Sequence, residues 1–152
     1  MENLAVGSVA PDFNLLDFSG KEHALKDYDK LILYFYPRDN TPGCSAEACS
    51  LRDSYSELTS LGYQILGVSG DSGASHERFT AKYSLPFPLL IDTDKALCNA
   101  YGVYGEKKFM GKTSMGIIRK TFIIEGGVIT HIVDKVKTKV HAEQLLEIIN
   151  NK

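Results

Sequence analysis

The chain has 152 residues, enough for one domain whose core needs neither disulfides nor a structural metal. A formal net charge of -2 argues against bulk binding to phosphate backbones, so no nucleic-acid partner is expected. No apolar run reaches membrane-spanning length, Met1-Glu2-Asn3-Leu4 lacks a signal-peptide core, and three cysteines do not suggest a secreted disulfide scaffold. The cytoplasm is the expected compartment.

Phe13 to Leu16 and Lys21 to Leu25, separated by the turn Asp17-Phe18-Ser19-Gly20, predict a short hairpin. Leu31 to Tyr36 is a run of apolar and aromatic residues without alternation, the pattern of a strand covered on both faces. A Pro/Gly turn follows, and Thr41-Pro42 opens a helix, with threonine as N-cap and proline at the first helical position. Cys44, Ala48, Leu51, Tyr55 and Leu58 recur at helical spacing, so one helix is expected to run to about Leu61 with Gly62 as its C-cap. Tyr63 to Ser69 predicts a strand, Ser75 to Tyr83 a helix, Leu89 to Ile91 a strand, and Ala96 to Tyr101 a helix capped by Thr93 or Asp94. Gly102 to Met115 reads as a mobile loop. Thr121 to Ile124 and Val128 to Val133 flank the glycine turn Glu125-Gly126-Gly127, and Val140 to Ile149 closes the chain as a helix.

Alternating strands and helices followed by a hairpin describe an α/β domain, a mixed sheet with helices on both faces, over residues 1–152. Sites in such folds gather where strands end and helices begin. Cys44 stands at such a junction, in the first turn of its helix. Unpaired N–H groups and the helix dipole there favour a thiolate. Ionisation alone explains little: a thiol of pKa ~8.5 is roughly 3% ionised at pH 7, so full ionisation gains about thirtyfold. Any larger acceleration must come from groups that hold and polarise a substrate at the sulfur, and Thr41 and the backbone N–H groups of the first helical turn are the local candidates.

Cys49, five positions on, lies about 140° around the helix from Cys44 and about 7.5 Å along it. It is either an inert packing residue or a second thiol that meets Cys44 only if the helix unwinds. Other chemistries fit poorly. Cys-x4-Cys has no second pair for zinc, only Cys98 and the scattered His23, His76, His131 and His141. An iron–sulfur spacing would need cysteine where Arg52 stands, Cys-x-x-Cys is absent, and Gly105 precedes Gly111 by one residue too many for a phosphate loop. The histidines read as ordinary surface or partly buried residues. Between Glu106 and Lys139, Lys107, Lys108, Lys112, Arg119, Lys120, Lys135, Lys137 and Lys139 outnumber Glu106, Glu125 and Asp134. That basic stretch reads as a solvated face.

Pro37-x-x-x-Thr41-x-x-Cys44 resembles the active-site motif of the peroxiredoxins, and Cys49 five residues on resembles their bacterioferritin-comigratory, or peroxiredoxin Q, branch. Ala10-Pro11-Asp12-Phe13, Gly67-Val68-Ser69 and Arg119-Lys120-Thr121-Phe122 match in family order. The resemblance implies a thioredoxin-like fold and a peroxidase acting on hydrogen peroxide and organic hydroperoxides, without metal, haem or flavin. It implies that Cys44 is the peroxidatic thiolate, that Thr41 binds the peroxide, that Pro37 shapes the pocket and that Arg119 stabilises the thiolate. Glu47, one turn after Cys44 and unhelpful to a thiolate by itself, is expected to orient Arg119. Cys49 is then the resolving thiol, with Cys98 as a minor competitor, and a thioredoxin-type donor the reductant. The branch implies a monomer, with a dimer through early-loop Tyr and Phe residues as the alternative. A thioredoxin-fold binding or chaperone module and a thiol–disulfide oxidoreductase without peroxidase activity are the competing readings.

Overall fold

The computed structural model describes residues 4–151, so Met1, Glu2 and Asn3 of the acidic opening, and Lys152, lie outside the described residues. Strands β1 (Asn14–Leu16) and β2 (Glu22–Ala24) form the expected N-terminal hairpin. The apolar run becomes β3 (Lys30–Phe35), followed by α1 (Pro42–Asp53), α2 (Tyr55–Ser60), β4 (Gln64–Ser69), α3 (Gly73–Tyr83), β5 (Leu89–Ile91) and α4 (Ala96–Ala100). The chain continues through β6 (Tyr104–Phe109), β7 (Lys112–Ile117), β8 (Lys120–Glu125), β9 (Val128–Val133) and α5 (His141–Asn150). The central sheet has the order β5-β4-β3-β8-β9, with β3 parallel to β4 and antiparallel to β8.

The lack of alternation in β3 has the reason expected: both faces of this middle strand are covered. Ile32 and Tyr34 pack on one face with Cys44, Ala48 and Leu51 of α1, Leu58 of α2 and Leu145 of α5. Leu31, Leu33 and Phe35 pack on the other with Leu97 and Cys98 of α4, Phe122 and Ile129. Helices therefore lie on both faces of a mixed sheet. Among the described residues, no helix is long and apolar enough to cross a membrane.

Three local expectations need correction. The helix expected to reach Leu61 breaks at Ser54, whose φ of -109° and ψ of 13° are not helical. Serine competes for its own backbone groups and tolerates such breaks, and the apolar face stays in phase across it, with Leu58 buried. Gly102 to Met115 is not a mobile loop but most of the β6–β7 hairpin. Met110 and Gly111 take φ of 52° and 80° in its two-residue turn, the left-handed pair that such a hairpin requires. A Cβ on Gly116 would come within 3.1 Å of the Lys107 stem, which lies across it. Finally, neither Thr93 nor Asp94 is the N-cap of α4, which is Lys95. Buried Asp92 accepts from the amides of Leu97 and Cys98 at 3.1 and 2.9 Å, while Asp94 reaches only Ala96.

Candidate active site

Cys44 is the third residue of α1 and is buried, with Pro42 at the helix start and Thr41 at the N-cap. Thr41 does not cap with its side chain. Its hydroxyl donates instead to the Arg38 carbonyl at 3.2 Å, which leaves the hydroxyl oxygen free to accept from a bound O–H. Half-buried Pro37 directly follows the last residue of the β3 run. The loop between them is anchored at Asp39. This carboxylate accepts from Tyr36 Oη at 2.6 Å and Ser75 Oγ at 2.8 Å, and lies 2.7 Å from His76 Nδ1. Its amide donates to Asp71 Oδ2 at 2.8 Å. Asn40, next in the loop, takes a positive φ of 59°, which asparagine tolerates better than most residues.

Arg119 reaches Cys44 from the far side of the chain, and the sheet register explains how. In the antiparallel β3–β8 pair, Tyr34 faces Thr121 and Phe35 faces Lys120. One step further, Arg119 falls beside the end of β3, where the chain turns towards α1. It shares the sheet face of Thr121 and Ile123, the face on which α1 packs. Its Nη2 donates to Cys44 Sγ at 3.3 Å and its Nη1 to Glu47 Oε1 at 2.6 Å. Gly43 permits this approach, because a Cβ there would lie 3.2 Å from Arg119 Nη2. The carboxylate and thiol beside Arg119 outweigh its partial burial and raise its pKa.

Glu47 is fully buried. Burial pushes its carboxyl up from 4.5 to about 7, against the lowering by the charge and hydrogen bond of Arg119. Behind it stands His141, also fully buried, with Nε2 at 3.5 Å from Glu47 Oε2 and 2.8 Å from Thr121 Oγ1. Burial pushes this imidazole down from 6.5 to about 4, and the positive charge of Arg119 adds to that against the Gln144 hydrogen bond.

The two shifts have opposite consequences for stability. Glu47 binds its proton more tightly folded than unfolded, so its contribution falls as pH rises from 4.5 to about 7. His141 binds its proton less tightly when folded, so its contribution rises with pH from about 4 to 6.5. Over their common range the slopes oppose. Glu47→Gln leaves only the His141 slope, and urea unfolding of that variant is expected to gain stability towards pH 6.5 by up to about 1.4 kcal/mol per pH unit relative to wild type. Parallel pH profiles for the two proteins would contradict these shifts.

The remaining thiols are placed differently. Cys49 is half-buried on α1, and all three cysteines are free. Cys98 packs in the core on the opposite face of the sheet from Cys44. Burial pushes its thiol well up, and Asp92 adds to the effect. The histidines correct the sequence reading: His23, His76 and His141 are buried, and only His131 is partly exposed. Among the described residues, Asp39, Asp71 and His76 are the one group close enough to share a cation. Internal hydrogen bonds already engage them, and His76 uses both ring nitrogens, on Asp39 and on the Leu90 carbonyl.

Comparison with known proteins gives concordant results. The model of the AhpC/TSA family matches residues 6–132. The chain is 43% identical over 149 residues to "Peroxiredoxin Bcp" of Escherichia coli K12, covering 96% of each chain. It superposes with a TM-score of 0.89 and 36% identity on the bacterioferritin comigratory protein of Xanthomonas campestris, over 99% of this chain and 97% of that one. A cysteine-to-serine mutant of Xylella fastidiosa PrxQ gives a TM-score of 0.92 at 34% identity, over 99% and 98% of the two chains. These peroxiredoxin structures share the thioredoxin-like arrangement seen here.

Proposed function

Because this chain belongs to the AhpC/TSA family, among the thiol peroxidases of its peroxiredoxin Bcp/PrxQ kind, we propose that it reduces hydrogen peroxide and organic hydroperoxides at Cys44. The observation that carries the reading is the guanidinium of Arg119, which donates to the Cys44 sulfur and to buried Glu47 at once. It holds positive charge at the sulfur, beside which a leaving oxygen develops negative charge. The Thr41 hydroxyl oxygen accepts from the peroxide O–H, and Pro37 borders the pocket.

The thiolate attacks the peroxide oxygen and the O–O bond breaks. One proton goes to the departing alkoxide or hydroxide, giving alcohol or water and a Cys44 sulfenic acid. The Cys49 thiol then displaces the sulfenic hydroxyl as water and forms an intramolecular disulfide. Two electrons and two protons from an external dithiol, a thioredoxin-type protein, restore both thiols. The work on the Xanthomonas relative describes alkyl peroxide reduction by that protein, which supports organic hydroperoxides as substrates here.

The resolving step requires a change of shape. Cys44 and Cys49 share the intact α1 helix, whose geometry keeps them about 7.5 Å apart along the axis. After one equivalent of hydroperoxide, peptide mass mapping is expected to find a Cys44–Cys49 disulfide. Far-ultraviolet dichroism is expected to lose the signal of roughly two helical turns, and Cys98→Ser should behave as wild type. A disulfide to Cys98, or a Cys44–Cys49 disulfide with unchanged helix content, would overturn this assignment. Cys98 is disfavoured because the central sheet lies between it and Cys44.

A further inference from the structure

Glu47 presents two oxygens to two unlike surroundings. Oε1 accepts from Arg119 at 2.6 Å, whereas Oε2 is buried without a hydrogen-bond partner among the described residues. The nearby polar atom that faces it is Nε2 of His141, at 3.5 Å. The tautomer of His141 follows from its other side. Gln144 Oε1, 2.9 Å from Nδ1, also accepts the Lys137 amide, and Gln144 Nε2 donates to the Lys135 carbonyl. Those two backbone partners set the orientation of the amide, so Nδ1 must carry the proton and Nε2 presents a lone pair. Thr121 Oγ1 therefore donates to Nε2 rather than accepting from it. That single lone pair is already taken by the Thr121 hydroxyl, so a carboxylate at Oε2 meets no donor from His141, and only the neutral acid avoids an uncompensated buried charge there.

We propose that His141 is a positioning residue for Glu47, holding it as a neutral acid in the resting enzyme so that the charge of Arg119 stays directed at Cys44. This rests on the peroxidase reading and assigns a control to the same site. When Glu47 is neutral, its Oε1 still accepts from Nη1 and keeps the guanidinium in place, while the positive charge acts on the sulfur. When Glu47 ionises, it neutralises Arg119 and adds a negative charge one helical turn from the thiolate.

The other titratable and charged groups that face Glu47 come from every element packed around it. Tyr34 from β3 is fully buried, and its hydroxyl, which has no hydrogen-bond partner among the described residues, is held neutral by desolvation and then by Glu47, Cys44 and Asp39. Cys44 belongs to α1, Arg119 directly precedes β8, Thr121 lies in it, and His141 and Gln144 come from α5. Lys107 of β7's partner strand β6 acts on the cluster from outside. Its ammonium donates to the Ile117 carbonyl, and burial followed by Arg119 lowers its pKa. The burial that lifts Glu47 to about 7 puts the proposed switch near neutrality.

The test is the pH profile of kcat/KM for hydrogen peroxide, together with infrared difference spectra of the reduced protein. In wild type, kcat/KM should fall as pH rises through about 7, and a protonated-carboxyl band should be lost over the same range. Glu47→Gln should remove both the fall and the band. His141→Gln, which offers an amide donor to Oε2, should move the midpoint of both at least about one pH unit lower. An alkaline fall unchanged in Glu47→Gln, a midpoint unmoved in His141→Gln, or no protonated-carboxyl band in wild type would overturn the proposal. The infrared band does not require turnover. A band that behaves as described in a protein without Cys44-dependent peroxide consumption would leave the buried acid standing and remove the peroxidase reading instead.

Discussion

Cys44→Ser is expected to consume hydroperoxide no faster than the uncatalysed reaction, a loss of at least about 10³-fold relative to wild type with dithiothreitol as reductant. An alcohol at this position is un-ionised near neutrality, and serine has no counterpart of the sulfenic acid on which the cycle depends. The substitution removes almost no volume, so α1, its packing against Leu145 of α5, and the Arg119–Glu47 pair should remain. The measurement is peroxide disappearance, paired with the urea midpoint as a control for folding. Equal turnover by wild type and Cys44→Ser would end the peroxidase reading, because neither other thiol has a comparable setting. Cys98 lies in the core across the sheet, and Cys49 has no cation hydrogen-bonded to it among the described residues.

Arg119→Met is expected to lower kcat/KM for peroxide by about 10² to 10³, the usual cost of removing a donor aimed at developing charge. Methionine keeps much of the stem but loses both hydrogen bonds, at 3.3 Å to Cys44 Sγ and 2.6 Å to Glu47 Oε1. Arg119→Lys is not expected to restore the rate, since one ammonium is a point donor and does not reproduce a planar fork spanning two acceptors. Removing one member of a buried pair usually destabilises strongly because it strands the other charge. Here Glu47 escapes that cost by taking a proton, and the loss of its counter-ion makes protonation easier still. The stability penalty should therefore be small below pH 7 and grow above it. Stopped-flow rates within a few-fold of wild type for Arg119→Met would show that the guanidinium contributes little to the chemistry.

The two substitutions separate effects that the sequence allows to be seen unequally. Cys44 was legible because its surroundings are local: Thr41, Pro42 and Gly43 set the helix start, and the helix start sets the thiol. The same holds for most strands and helices, whose apolar periodicity is a property of neighbouring residues. Arg119 was found only through the family motif around Arg-x-Thr-Phe, since no periodicity relates positions 75 residues apart. The β3–β8 register makes the connection. Glu47 could be suspected as its partner by helical spacing, but His141 could not. A histidine opening a C-terminal helix has nothing local to mark it as buried, and its role depends on α5 packing against α1, where Ser50 Oγ accepts from the Ala142 amide at 3.0 Å.

The errors have the same origin. The β6–β7 hairpin has the sequence character of a loop because its glycines weaken strand propensity, while its pairing and the left-handed turn at Met110-Gly111 emerge only when the two strands meet. Short-range spacing alone places Cys44 at a strand-to-helix junction, puts Cys49 on the same helix, and predicts the mixed α/β sheet around them. These are consequences of short-range spacing and of the residues allowed at turns and caps. The tertiary structure decided which charges face that thiol and which cysteine is shut away behind the sheet. It also decided that Glu47 and His141 are buried side by side, 3.5 Å apart. Those facts depend on strand register and helix packing, which bring together residues that the chain itself keeps far apart.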